Sequence, residues 1–189
     1  MKQKNCGFTL VEVVIVVVLL GILSIGFGSF LSKGINAWQF LKFRESALSQ
    51  ADNAMNRMIK EIRLINPIKI NDVYQPKIMY ADQQEIKFYD YENNYLRFCV
   101  DTKNGNLILE RANPNLIDYV LAGSVYSGGL IFKYYDASLT ELPVPMNMGD
   151  TNISHIRYIR IFLSVSSGPQ TVNLEDSAKL RILNAGADY

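Results

Sequence analysis

Apolar and polar positions divide this chain into three textures. From residue 8 to residue 31 nearly every side chain is apolar, and Glu12 is the one charge. At about 1.5 Å per helical residue the run is roughly 36 Å long, enough to cross a hydrocarbon core of about 30 Å. Beyond it the pattern turns amphipathic. Leu41, Leu48, Ala51, Met55, Met58, Ile62 and Ile65 follow three- and four-residue spacing, with Arg44 at the one polar slot. Gln50, Asn53, Asn56, Lys60 and Glu61 fill the other face. Pro67 stops the run, because proline cannot continue a helix. The spacing predicts one long helix from about residue 8 to about residue 65. Its second half must bury its stripe, and the Met55/Met58 pair reads as core filler.

From Ile68 onward the period shortens. Residues 84–91, 95–101 and 106–111 are rich in aromatic and branched side chains. They are joined by Glu92-Asn93-Asn94 and by Lys103-Asn104-Gly105, the latter a hairpin signal. These predict an antiparallel meander. A second group follows at 130–135, 153–166 and 172–183, the last with a break near Glu175-Asp176 left open. Ile159, Ile161, Leu163 and Val165 alternate with Arg160, Phe162 and Ser164, so one face of that run is apolar. Residues 142–149, with two prolines, read as a surface loop. The predicted fold class is α+β: a long N-terminal helix, transmembrane then amphipathic, packed on an antiparallel β-sheet head.

Two features of the apolar run carry chemistry. A carboxylate inside a membrane-grade segment costs about 2.5–3.5 kcal/mol at mid-bilayer and less near an interface, which makes Glu12 a functional candidate. A position near the helix N-terminus eases that cost by about 0.3–1 kcal/mol. Gly21, Gly26, Gly28 and Gly34 each cost about 1 kcal/mol of helix propensity relative to alanine. Ser24, Gly28 and Ser32 recur every four residues, a small-residue stripe that permits close helix approach. Ordinary glycine enrichment of membrane helices and a packing surface at Gly21, Ser24 and Gly28 both fit.

Charge and chemistry narrow the remaining classes. With 19 basic and 18 acidic residues the net charge is +1, without the positive balance of nucleic-acid binders. Arg157 and Arg160 fall on opposite faces of any regular strand, so direct nucleic-acid contact is not expected. His155 is the single histidine and has no metal-spaced partner or nucleophile motif beside it. Residues 101–106 look like a calcium loop, but Lys103 occupies a ligand position and the segment is short, so it reads as a turn. Asp136, Glu141 and Asp150 remain as either a surface calcium site or solvated acids. No catalytic residue, cofactor or resident metal is expected. The eleven tyrosines and nine phenylalanines fit a sheet core and protein–protein surfaces.

A secretory signal carries an apolar region of about 7–15 residues followed by a small-residue cleavage site. Here the apolar stretch is longer and Gly7 precedes it. Lys4-x-x-Gly7 followed by Phe8-Thr9-Leu10-x-Glu12 resembles the class III leader of type IV prepilins and of the pseudopilins of type II secretion. An ordinary signal anchor with an incidental glutamate is the competing reading. The resemblance implies a pilin-like fold and cleavage by the prepilin peptidase between Gly7 and Phe8, with N-methylation of Phe8. It implies that Thr9, Leu10 and Glu12 serve filament assembly, Glu12 setting register by meeting a neighbouring subunit's amine. The implied partners are other pilin or pseudopilin subunits in a tip complex and filament, the inner-membrane assembly platform and membrane lipid. The implied divisions are a leader at 1–7, a transmembrane and filament-core helix at 8–31, an amphipathic continuation at 32–66 and a β-rich head at 67–189.

Lys2 and Lys4 favour a cytoplasmic N-terminus, though Lys33 and Lys42 reduce the asymmetry. The resemblance places the N-terminus inside and the head outside. Leader removal would discard Cys6 and leave Cys99 alone, without the disulfide of many major pilins, and the helix lacks their proline. The junction Met55-x-x-Met58-Ile59-Lys60-Glu61-Ile62-Arg63, the strand at 156–161 and the run Leu180-Arg181-Ile182-Leu183-Asn184 resemble J-type minor pseudopilins and W-type minor pilins. Two functional classes follow. One is a structural subunit that helps initiate or cap a filament; the other is a tip module that recognises a secretion substrate, a host surface or DNA.

Overall fold

A computed structural model describes residues 9–70, 73–112 and 115–181. The chain divides into two compact units, Met1–Lys42 and Phe43–Tyr189. Helix α1 runs Leu10–Arg63, and every side chain from residue 9 to residue 46 is exposed. Within the first unit α1 is the whole of the regular structure described.

In the second unit α1 buries Ala47, Ala51, Ala54, Met55, Met58, Ile59 and Ile62. Both methionines are core, as expected. Leu41 and Leu48 are not: they stay 61% and 46% exposed, and Ala47 takes the place expected of Leu48. Ala47, Ala51 and Ala54 lie on one face and lack long side chains, so the helix backbone can approach its support closely. Glu61 was expected on the polar face but is buried, held by Arg57 one turn earlier at 2.6 Å.

The strands after Pro67 are β1 (Pro67–Ile70), β2 (Val73–Pro76), β3 (Ile78–Ala81), β4 (Ile86–Tyr89), β5 (Tyr95–Asp101), β6 (Asn106–Ala112) and β7 (Leu116–Ala122). Then come β8 (Val125–Tyr135), β9 (Met146–Asn147), the short helix α2 (Thr151–His155), β10 (Tyr158–Ser167) and β11 (Gln170–Lys179). They form antiparallel sheets in the orders β7-β6-β5-β4-β3-β9, β11-β10-β8 and β1-β2. The predicted meander is present as β4-β5-β6. Its turns are as read: Asp101 accepts the Lys103 backbone N–H at 2.9 Å, and Gly105 supplies φ of 65°.

Several expectations need correction. The long run at 153–166 divides. Residues 151–155 form α2, with Ile153 buried, and the strand begins only at Tyr158. Arg157 therefore precedes the strand, and its guanidinium donates to the Ser154 and Ile156 carbonyls. Strand β11 passes unbroken through Glu175 and Asp176, because Phe162 and Ile161 pair with them across an exposed edge that tolerates charge. Residues 182–184 lie outside the described residues. Met146, expected in a surface loop, is buried in β9, which caps the far edge of the six-stranded sheet. Strand β8 begins at Val125 rather than near residue 130. Within it Gly129 is a packing requirement: a Cβ there would meet the carbonyl oxygens of Tyr126 and Ser164 at 2.9 and 3.0 Å. Strand β7 was not anticipated, since Leu116–Ala122 carries no apolar–polar alternation.

One buried cluster unites the second unit. Phe88, Leu96, Phe98, Leu107 and Leu109 from the larger sheet meet Leu130, Phe132, Tyr134, Ile159, Ile161, Leu163 and Val165 from the smaller one, together with the buried face of α1. The alternation read in β10 is the one observed. Phe88 and Phe98 lie 6.0 Å apart, ring centre to ring centre. Tyr134, fully buried, donates its hydroxyl to the Asp82 carbonyl at 2.9 Å.

Burial pushes the Tyr134 phenol well above its ordinary value of 10.0, with Asp82 and Tyr80 adding to the shift. A folded-state pKa above the unfolded one gives stability that is complete below the unfolded value and lost as pH rises toward the folded value. Above about pH 10 the head should therefore lose stability by up to about 1.4 kcal/mol per pH unit from this group. Tyr134→Phe should remove that slope while costing about 1 kcal/mol at neutral pH for the lost hydrogen bond. Urea midpoints at pH 8 and pH 11 for the two chains measure it. Identical alkaline losses in both would refute it.

Candidate functional site

The described chain opens on Thr9, the residue before the first helical one. Four N–H groups at a helix start lack partners within the helix, and in an apolar medium each must be satisfied. The first turn answers this locally for two of them, those of Thr9 and Glu12. The Thr9 hydroxyl oxygen accepts the Glu12 backbone N–H at 3.3 Å, and Glu12 Oε2 accepts the Thr9 backbone N–H at 3.3 Å. The Thr9 hydroxyl also donates to Glu12 Oε2 at 3.3 Å. Backbone N–H groups of Glu12 and Val13 reach the Thr9 carbonyl at 3.1 and 3.3 Å. This is a reciprocal capping box, and the signal for it, threonine followed three residues later by glutamate, stands in the sequence. Reading Glu12 only as a charge in an apolar run missed it.

Both side-chain contacts of Glu12 fall on Oε2. Among the described residues Oε1 has no hydrogen-bond partner. Leu10 is exposed beside it. Gly7 and Phe8 lie outside the described residues, two and one positions upstream of the cap.

From residue 13 to residue 32 no side chain is charged, about 30 Å of helix, which equals a hydrocarbon core in thickness. An 18-residue window of α1 reaches a mean hydropathy of 2.9. Ser24 donates its hydroxyl to the Leu20 carbonyl at 2.7 Å, so it brings no unsatisfied group into the apolar run. A Cβ at Gly21, Gly26, Gly28 or Gly34 would meet nothing within 4 Å, so these glycines answer no demand within the described chain. At about 100° per residue, Gly21, Ser24 and Gly28 fall within an arc of roughly 60°, and Glu12 lies on the opposite side of the helix. The sequence candidates thus form two faces rather than one site. Beyond the uncharged run stand Lys33 and Trp38, with the Lys42 ammonium 5.1 Å from the centre of the Trp38 ring.

The head offers less for catalysis. One cleft, about 350 Å³, is lined by Asp82, Glu85, Arg97, Cys99 and Asp101 among others. Arg97 is engaged with Glu85 and, at 2.6 Å, with Glu110. Burial pushes the Cys99 thiol up despite the opposing Arg97 charge, which keeps it a poor nucleophile at neutral pH. His155 is exposed at the end of α2. Asp136 accepts the Ser138 and Thr140 backbone N–H groups, both at 2.8 Å, Glu141 pairs with Lys133 at 3.1 Å, and Asp150 accepts the Asn147 N–H at 2.6 Å. These acids organise their own turns, and among the described residues no three metal-ligating side chains gather together.

Residues 2–28 match the family described as the prokaryotic N-terminal methylation motif. The match takes in residues 2–7, the Thr9–Glu12 box and the face of Gly21, Ser24 and Gly28, and nothing of the head. No curated protein matches the chain significantly.

Proposed function

We propose that this chain is a minor subunit of a type IV pilus or a type II secretion pseudopilus, a structural protein that enters a filament after its leader is removed. The observation that carries the reading is the methylation-motif match over residues 2–28 placed directly against an uncharged, exposed helix. Prepilin peptidase cuts between Gly7 and Phe8 and methylates the new amine of Phe8. The uncharged run crosses the inner membrane with the N-terminus in the cytoplasm and the head outside. Lys33, Trp38 and Lys42 then mark the outer interface, where an amphipathic ring beside a cation is favoured.

Assembly uses the two faces. Glu12 is held by Thr9 through Oε2 and presents Oε1 to the α-amine of a neighbouring subunit, an ion pair that a dry helix bundle strengthens. The glycine and serine face, open to solvent or lipid in the single chain, lets a second helix approach closely. A place among the minor subunits, of the J or W type, accords with a helix that carries no proline from Leu10 to Arg63 and with a mature chain whose single cysteine has no partner for an intrachain disulfide. It also accords with Met55, Met58, Ile59 and Ile62 of the helix-to-head junction being core residues.

Gly7→Leu should abolish processing. Co-expressed with a prepilin peptidase, the native chain should yield a methylated Phe8 N-terminus by mass spectrometry, and the variant should retain residues 1–7. A native chain left uncut, or cut after the apolar run, would overturn the reading.

A further inference from the structure

The outer face of the six-stranded sheet carries one row of charged side chains that runs across four strands. Register places Lys87 of β4 opposite Arg97 of β5, Arg97 opposite Glu110 of β6, and Glu110 opposite Asp118 of β7. Inside the sheet the row is neutralised. Glu85 bridges Lys87, at 3.0 Å, and Arg97, and Arg97 reaches Glu110 at 2.6 Å. At the edge it is not. Asp118 has no ion pair among the described residues and stands directly opposite a second carboxylate, an arrangement that is unfavourable across a strand pair. The row reads plus, plus, minus, minus, and stops where the next strand would contribute a cation.

That same edge is unguarded in other respects. Leu116, Ile117, Tyr119 and Val120 are 60, 49, 46 and 62% exposed, so β7 is apolar on both faces. The other edges of the two larger sheets are protected. Strand β9 is two residues long, β11 carries Glu175, Asp176 and Lys179, and β8 gives its Val125 and Phe132 N–H groups to the carbonyls of Gly105 and Gln83. A seven-residue edge strand that is apolar apart from one charge, and that has no such cover, is a template for backbone pairing.

We infer that β7 accepts an extended strand from another polypeptide, one that places a lysine or arginine opposite Asp118 between apolar neighbours. A second copy of β7 is the wrong donor, because its only charge is another Asp118 carboxylate. The added strand would continue the charge row on the outer face and cover Ile117 and Tyr119 on the inner one. This goes beyond the filament-subunit reading and does not depend on it.

The test is hydrogen exchange on the full chain in detergent micelles, with a synthetic, end-capped peptide of alternating valine and threonine centred on lysine. That peptide should slow amide exchange within Leu116–Ala122 about tenfold. A glutamate-centred version should not, and Asp118→Lys should reverse the preference. Asp118 is exposed, so unchanged exchange at the buried Phe98 checks that the reversal leaves the fold intact. Absence of protection, protection independent of the central charge, or protection that rises with chain concentration alone would each overturn the inference, the last by assigning the edge to a second copy.

Discussion

Glu12→Gln should leave membrane insertion and leader removal intact and lower filament incorporation about 100-fold or more. A glutamine can occupy the third helical position of a capping box, accepting the Thr9 N–H through its amide oxygen. Only the charge is lost. If that charge meets a neighbour's amine inside the bundle, removing one partner leaves the other buried and uncompensated, at a cost of about 3–5 kcal/mol, or roughly two to three and a half decades in equilibrium. Thr9→Val supplies the contrast. It keeps the charge and removes the side-chain cap, a loss of about 1 kcal/mol and therefore about tenfold or less. The fraction of each variant recovered in sheared filaments, against the membrane-bound fraction, gives both numbers. The opposite ranking, with Thr9→Val the more damaging, would mean that Glu12 serves to start its own helix and not to receive a neighbour.

Phe98→Ala should destabilise the head by about 3–5 kcal/mol. Phe98 is fully buried in β5, against Phe88, in the cluster that joins α1 to both larger sheets. Deleting its ring opens a cavity that elements fixed on several sides cannot collapse to fill. Since a domain of ordinary size is stable by about 5–15 kcal/mol, the variant loses a large share of the total. The urea midpoint of the full chain should fall with the slope unchanged. Leu116→Ala, on the exposed edge, should stay within about 0.5 kcal/mol. Comparable losses at the two positions would remove Phe98 from the centre of the core.

The residues differ in how openly they announce these roles. The helix, its end before Pro67, the β4-β5-β6 meander and the inward face of β10 follow from period and turn chemistry alone, because each is a local pattern. The capping box was equally local, but it was hidden by attention to the charge of Glu12. Strand β7 was hidden for a different reason. A strand apolar on both faces has no alternation, and only its register with β6 reveals that Asp118 stands opposite Glu110. Met146 likewise joins the core through pairing of β9 with β3, a contact between segments more than sixty positions apart in the chain.

By itself, then, the amino-acid order determined the long apolar helix, the methylation motif and the presence of a β-rich head, since hydropathy, helical period and motif residues are read within a few neighbouring positions. Tertiary structure decided which face of α1 is buried, that Met146 joins the core, and that a row of charges ends unpaired at β7. Those outcomes depend on backbone approach, side-chain geometry and strand register, and these are fixed only when distant segments pack together.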